Sequence, residues 1–166
     1  MPAGCGANGT SNMKFMMNGA LTLGTRDGAT IEMAEEAGEE NFFFGLTAEQ
    51  VAESRGWYDP RWHLQHDPEI RAAIDLIAAD QFSRYEPGVF RPLLDALLVQ
   101  GDHYMHLADL RSYLDADARL MALYGQPDAW TRMAILNVAA SGKFSSDRTI
   151  GQYAREIWDA KACAVT

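Results

Sequence analysis

The sequence predicts a single α/β unit in which helices dominate and strands are few. Three observations carry that expectation. Nearly half of the 166 residues are hydrophobic (48%) and 10% are aromatic, the composition of a chain that builds a core. Two apolar runs near the amino end, Ala20-Leu21-Thr22-Leu23 and Phe42-Phe43-Phe44, are too short for helices and are flanked by glycine. From Leu46 onward, capping signals and helical stripes follow one another, with no repeat, low-complexity tract or linker between them.

Taken in order, Gly9, Thr10, Ser11 and Asn12 read as a small-residue turn leading into a short helix with Met13, Lys14, Phe15, Met16 and Met17. Asn18-Gly19 stops that helix. Ala20 to Leu23 then form a short buried strand, and Thr25-Arg26-Asp27-Gly28 a turn. Ile31 and Met33, with Glu32, Glu35 and Glu36, give an acidic helix ended by Gly38. The glutamates from Glu32 to Glu40 read as a solvated face, not a metal site. Phe42, Phe43 and Phe44, closed by Gly45, fit an inner strand of a parallel sheet.

Thr47 and Gln50 make a capping box, with Leu46 and Val51 as its hydrophobic staple, and Gly56 ends that helix. Asp67-Pro68 starts another, with Ile70, Ile74 and Ile77 on one stripe. Leu93, Leu94, Leu97 and Leu98 carry the next, stopped at Gly101. Asp109 is placed to cap a helix bearing Leu110, Tyr113, Leu114, Leu120 and Leu123, up to Gly125. Pro127-Asp128 opens one that runs through Trp130, Met133, Ala134 and Val138 to Gly142. Ser146 or Asp147 caps the last, with Ile150, Tyr153, Ala154 and Ile157 on its core face.

The net charge is −9, a balance that repels nucleic acid and anionic membrane. Any anionic ligand must be met by local cations and helix amino ends, and the lysines are only Lys14, Lys143 and Lys161. Cys5 and Cys163 have neither metal-knuckle nor redox-pair spacing and read as unpaired thiols of a reducing compartment. With no secretory leader and no apolar run near the ~20 residues of a membrane span, a soluble, cytoplasmic protein is expected.

The chemistry centres on Lys14. The Gly/Thr/Ser turn before it offers hydroxyls and the unpartnered N–H groups of a helix start, which suit a phosphate. Apolar neighbours would strip the lysine of hydration and favour the neutral amine that attacks an aldehyde. Together these are the parts of a pyridoxal phosphate anchor; the plainer alternative is a helix start with one snorkelling lysine. Met13, Met16 and Met17 read as core packing around that helix. His63/His66 and His103/His106 share helical faces, but no cysteine or carboxylate cluster supports them, so no metal is expected. Lys143 and Arg148 flank a Phe-Ser-Ser turn and are expected to tie the last helix to the domain.

The wording of three stretches adds to this. GTSNMKFMMNGALTLGTRDGATIEMAEEAGEENFFFG, from Gly9, resembles the cofactor-lysine segment of the α-glucan phosphorylases. SGKFSSDRTIGQYAREIW, from Ser141, resembles that family's C-terminal signature, and WTRMAILNVAASGKFSSDRTI, from Trp130, follows its pattern. The resemblance runs from Gly9 onward, and the chain is similar to roughly the last fifth of such enzymes. Where the family reads Glu-Ala-Ser-Gly-Thr, this chain has Gly6, Ala7, Asn8, Gly9 and Thr10, so the family's acid and serine contacts to sugar are missing.

The resemblance implies part of the C-terminal Rossmann-like domain of a two-domain (GT-B type) glycosyltransferase. Residues 1–8 then form a leader outside the family, and residues 9–166 the C-terminal part of the pyridoxal-phosphate-binding domain. It implies phosphorolysis of terminal α-1,4-linked glucose by orthophosphate, giving glucose 1-phosphate with retention. Lys14 would hold pyridoxal phosphate covalently, Thr10 and Ser11 would meet its phosphate, and the Gly9 backbone would meet the sugar. In the family the cofactor phosphate exchanges a proton with substrate phosphate. Partners would be an α-1,4-glucan, orthophosphate and a second subunit. The chain alone, lacking the glucan-binding half, is expected to be inactive; the alternative is a non-catalytic remnant acting, if at all, as an interaction module.

Overall fold

Glycine, proline and buried carboxylates decide where each element of this chain starts and stops. The computed structural model describes residues 9–38 and 42–161; the leader expected at 1–8, with Cys5 and Gly6–Asn8, and Glu39, Glu40 and Cys163 lie outside them. The elements are α1 (Thr10–Met17), β1 (Leu23–Thr25), α2 (Ala29–Ala37), β2 (Phe42–Phe44), α3 (Ala48–Ser54) and α4 (Pro60–His66). There follow α5 (Pro68–Ala78), α6 (Arg91–Leu98), α7 (His106–Tyr124), α8 (Pro127–Ala140), a 3₁₀ turn (Ser141–Phe144) and α9 (Ser146–Glu156). The chain is a helix-rich α/β protein.

β1 and β2 pair in parallel, with Leu23 opposite Phe42, Gly24 opposite Phe43 and Thr25 opposite Phe44. Parallel neighbours need a crossover, and α2 supplies it. The expected strand at 20–23 is displaced toward the carboxyl end. The reason is the end of α1: Gly19 N–H donates to the Met16 carbonyl and Ala20 N–H to the Phe15 carbonyl, both at 3.0 Å. That double closure, with Gly19 at φ +78°, is a Schellman motif, so Ala20 still belongs to the helix end. Nor is β2 an inner strand here: among the described residues the sheet has two strands. The Phe44 ring stands edge-on to Tyr113 of α7, centroids 5.1 Å apart.

Two aspartate-proline pairs fix the middle of the chain. Asp67 accepts from Glu69 N–H and Ile70 N–H at the amino end of α5. Asp59-Pro60 repeats the signal and starts α4, a helix the sequence reading passed over; its carboxylate accepts from Arg61 N–H at 2.9 Å. Asp67 also receives two bonds from Arg111 of α7, at 2.8 and 2.9 Å. Around this clamp Ile70, Ile74, Leu94 and Leu107 form a buried cluster, with Leu64, Ile77, Leu97, Leu98 and Leu110 against it. The capping box of α3 is present, and its staple Leu46 packs beside Val51 and Met105.

Two caps differ from expectation. α7 begins at His106, before Asp109, because the carboxylate of Asp102 takes His106 N–H (3.0 Å), Leu107 N–H (2.9 Å) and the Tyr58 hydroxyl (2.8 Å). Asp109 lies buried in the first turn and accepts instead from Leu46 N–H at 2.9 Å. α9 is capped by Ser145, whose hydroxyl accepts from Arg148 N–H. Its apolar stripe faces solvent rather than a core: Ile150 is 54% exposed and Ile157 67%. Among the described residues, α9 packs mainly on the 3₁₀ turn. Arg148 donates to the Lys143 carbonyl, and Lys143 pairs with Glu36 of α2 at 2.8 Å, so these two residues do fasten the last helix. Among the described residues, no helix is long and apolar enough to cross a membrane.

Candidate functional site

α1 is held by one face and bare on the other. Gly9 precedes it, and a Cβ there would lie 2.3 Å from the Ala29 Cβ, so glycine alone lets the start of α1 approach that of α2 so closely. Asn12 Nδ2 donates to the Thr30 hydroxyl at 3.2 Å. Met16 is fully buried with Met33, beside Ala37, and Met13, Ala140 and Phe144 pack against them. Residues 12, 13 and 16 therefore form the packed face. The bare face carries Thr10, Ser11, Lys14, Phe15 and Met17, all exposed, with Phe15 and Met17 each 63% so.

Two expectations are corrected by this. Thr10, Ser11 and Asn12 are the first turn of the helix itself, not a turn ahead of it. Lys14 is exposed, because the apolar neighbours that sequence places beside it point elsewhere around the helix: Met16 inward, Phe15 and Met17 out to solvent. Met17 is accordingly not core packing. What the structure does bring together is Thr10, Ser11 and Lys14. At i, i+3 and i+4 spacing they share one side of α1 within about one 5.4 Å turn.

That donor set fits a phosphate-bearing aldehyde. Among the described residues, no side chain caps the amino end of α1 and no acidic residue sits in its first turn, in a chain of net charge −9. Helix N–H groups and the positive end of the dipole thus face outward beside two hydroxyls. The amine lies one turn along. Gly9, Thr10, Ser11 and Lys14 could hold such a group.

The other candidates are structural. His66 Nδ1 lies 2.8 Å from the Trp62 carbonyl, and its ring stacks on Trp62. Burial holds His63 below the usual imidazole range against the pull of Asp102, Asp67 and Asp59. His106 starts α7 and His103 lies in the preceding loop. Among the described residues, no group of three or more His, Cys, Asp or Glu could hold a metal ion. Burial, then the Asp102 carboxylate it donates to, pushes the Tyr58 hydroxyl well above the usual phenol range.

Sequence reasoning missed Asn137. It is fully buried in α8, and its Nδ2 donates at 3.0 Å to the Ala20 carbonyl. Its Oδ1 has no partner among the described residues. The signal was an amide between Leu136 and Val138, in an otherwise apolar stretch.

Comparison with known proteins agrees with the wording of the α1 segment. The profile of the Phosphorylase family, described as carbohydrate phosphorylase, matches residues 2–160. The chain is 51% identical over 159 residues to the muscle form of glycogen phosphorylase from Bos taurus. It is 50% identical over 159 residues to the human muscle form and 51% over 158 residues to the human brain form. Each alignment covers 94% of this chain and 19% of the relative, so the chain spans about a fifth of the length of these relatives. With its profile match running almost end to end and half of its residues shared, the chain belongs to the carbohydrate phosphorylase family.

Proposed function

We propose that this chain supplies the cofactor-anchoring part of an α-glucan phosphorylase, a cytoplasmic enzyme that releases glucose 1-phosphate from an α-1,4-glucan with orthophosphate. The observation that carries the reading is the grouping of Lys14, Thr10 and Ser11 on the uncapped, exposed face of α1. Residues 9–166 form the C-terminal part of the pyridoxal-phosphate-binding domain. The β1–α2–β2 crossover is the unit from which a Rossmann-like half of a two-domain glycosyltransferase is built. As in other family members, two such subunits would pair.

Each residue has a defined task. The Lys14 amine fixes the cofactor to α1 and sets its position along the helix. The first-turn N–H groups, with the Thr10 and Ser11 hydroxyls, hold its phosphate at the positive end of the helix dipole. When bound, the cofactor supplies a phosphate able to exchange a proton near neutral pH. Gly9 presents backbone without a side chain where the sugar would pass. Phe15 and Met17 offer apolar surface that, once covered, keeps water from the site.

The test is covalent mapping. The chain is incubated with pyridoxal phosphate, reduced with borohydride and digested, and the modified peptide is identified. Label is expected at Lys14 and lost in Lys14→Ala. Preferential label at Lys143, which is paired with Glu36, or at Lys161 would overturn the assignment.

A further inference from the structure

Away from α1, the chain runs from the end of α3 through Trp57, Tyr58 and Asp59 into α4 and leaves a cavity of about 380 Å³. Two indoles line it, Trp57 at 75% exposed and Trp62 at 54%. Leaving two adjacent indoles in water is costly, since each is among the largest apolar surfaces a protein owns. Two rings of the lining are held in place. Trp62 has one face covered by His66, rings stacked with centroids 4.2 Å apart, and His66 is itself tied to the Trp62 carbonyl. Tyr58, between them in the lining, is anchored through its hydroxyl to the buried Asp102.

The polar lining is as specific as the aromatic one. Asp59, His63 and Gln65 line the cavity, and no lysine or arginine does. A phosphate or carboxylate ligand would therefore meet an aspartate and no counter-charge. One Asp59 oxygen, Oδ1, accepts from Arg61 N–H in capping α4, and the other takes no part in that cap. Burial favours the neutral form of His63, which offers one donor and one acceptor. Gln65 is exposed, with its amide turned to no partner among the described residues. Flat apolar rings beside a carboxylate, an amide and a neutral imidazole suit a ligand that is uncharged, has an apolar C–H face and carries hydroxyls at its edge. A pyranose has these properties. The volume lies at the small end of ligand cavities, ~300–1,000 Å³.

We propose that this cavity is a subsite for a neutral oligosaccharide, holding one or two pyranose rings between Trp57 and Trp62 with their hydroxyls on Asp59, His63 and Gln65. None of these residues belongs to α1, and the proposal stands whether or not Lys14 carries a cofactor. The experiment is a titration of the full chain with maltotriose, following the indole N–H signals by two-dimensional NMR, assigned with Trp57→Phe and Trp62→Phe. Saturable shifts at both indoles are expected. Trp57→Ala should weaken binding at least tenfold and Gln65→Ala severalfold; both side chains are exposed, so the circular dichroism spectrum should stay unchanged. Three results would overturn the proposal. One is the absence of indole shifts, or shifts confined to α1. The second is equal affinity in Trp57→Ala. The third is broadening of the indole signals with protein concentration in the absence of sugar, which would assign the cavity to a second copy of the chain.

Discussion

A single residue, Asp67, does three jobs at once, and the titration of its carboxylate exposes two of them. It ends α4, caps α5 and grips Arg111 of α7, and the Arg111 hydrogen bonds, followed by the Ile70 N–H, hold its pKa at about 2. A carboxylate whose folded pKa is depressed stabilises the fold above its unfolded value, near 4, and loses that contribution as pH falls toward 2. Arg111→Met should return the Asp67 titration, followed by carbon NMR of the carboxylate, toward ordinary values and remove that part of the acid sensitivity between pH 4 and 2. Asn137 is the residue-scale counterpart in the core. Its amide satisfies the Ala20 carbonyl across 117 residues of sequence. Asn137→Ala should destabilise the chain by about 1–3 kcal/mol, the cost of a buried polar group left unpaired, read as a lowered urea midpoint. The Asp67 signal was legible because Asp-Pro is a local mark of a helix start. The Asn137 contact was not, because nothing local to α8 points to residue 20.

At the scale of elements the same division holds. The capping box of Thr47 with Gln50 read correctly because its two partners lie three residues apart and name each other. The cap of α7 was missed where the chain turns back on itself: Asp102 reaches α7 across a loop in which both Asp102 and Met105 hold positive φ, 46° and 52°. The strand at β1 was misplaced because the Schellman closure of α1 carries the helix end on to Ala20, one residue past the glycine stop. Periodicity likewise gave α9 an apolar face without saying whether anything lies against it. Since α9 packs mainly on the 3₁₀ turn and its apolar stripe lies exposed, it should be the loosest helix. Ending the chain after Phe144 is expected to leave the urea midpoint of the remainder within error. In hydrogen exchange, α9 amides should exchange long before those of α5 or α7. Protection of α9 equal to that of α5 would contradict the packing described.

For the molecule as a whole, the candidate site was legible in its residues but not in its environment. Thr10, Ser11 and Lys14 share a face of α1, and the desolvation expected of Lys14 is absent: the face is open to water. Burial is a property of everything packed around a helix, and the chain spans 19% of the length of its relatives. Phe15 and Met17 on α1, Ile135 on α8, Ile150 on α9 and Ile157 and Trp158 just past its end are exposed apolar side chains of the kind a larger assembly covers. Phosphorolysis must outcompete hydrolysis, which requires that water be kept from the reacting sugar. It also needs charge-stabilising donors on both sides of the substrate, and losing one such preorganised donor costs about 2.7–4 kcal/mol. An exposed helix face provides one wall of such a site. The chain by itself should therefore release no glucose 1-phosphate from maltodextrin and orthophosphate, even saturated with pyridoxal phosphate. The measurement is a coupled assay against a Lys14→Ala control, with host phosphorylase excluded from the preparation. Turnover above that control would mean that α1 and its neighbours complete a water-excluding site unaided, against the exposure of Lys14 found here.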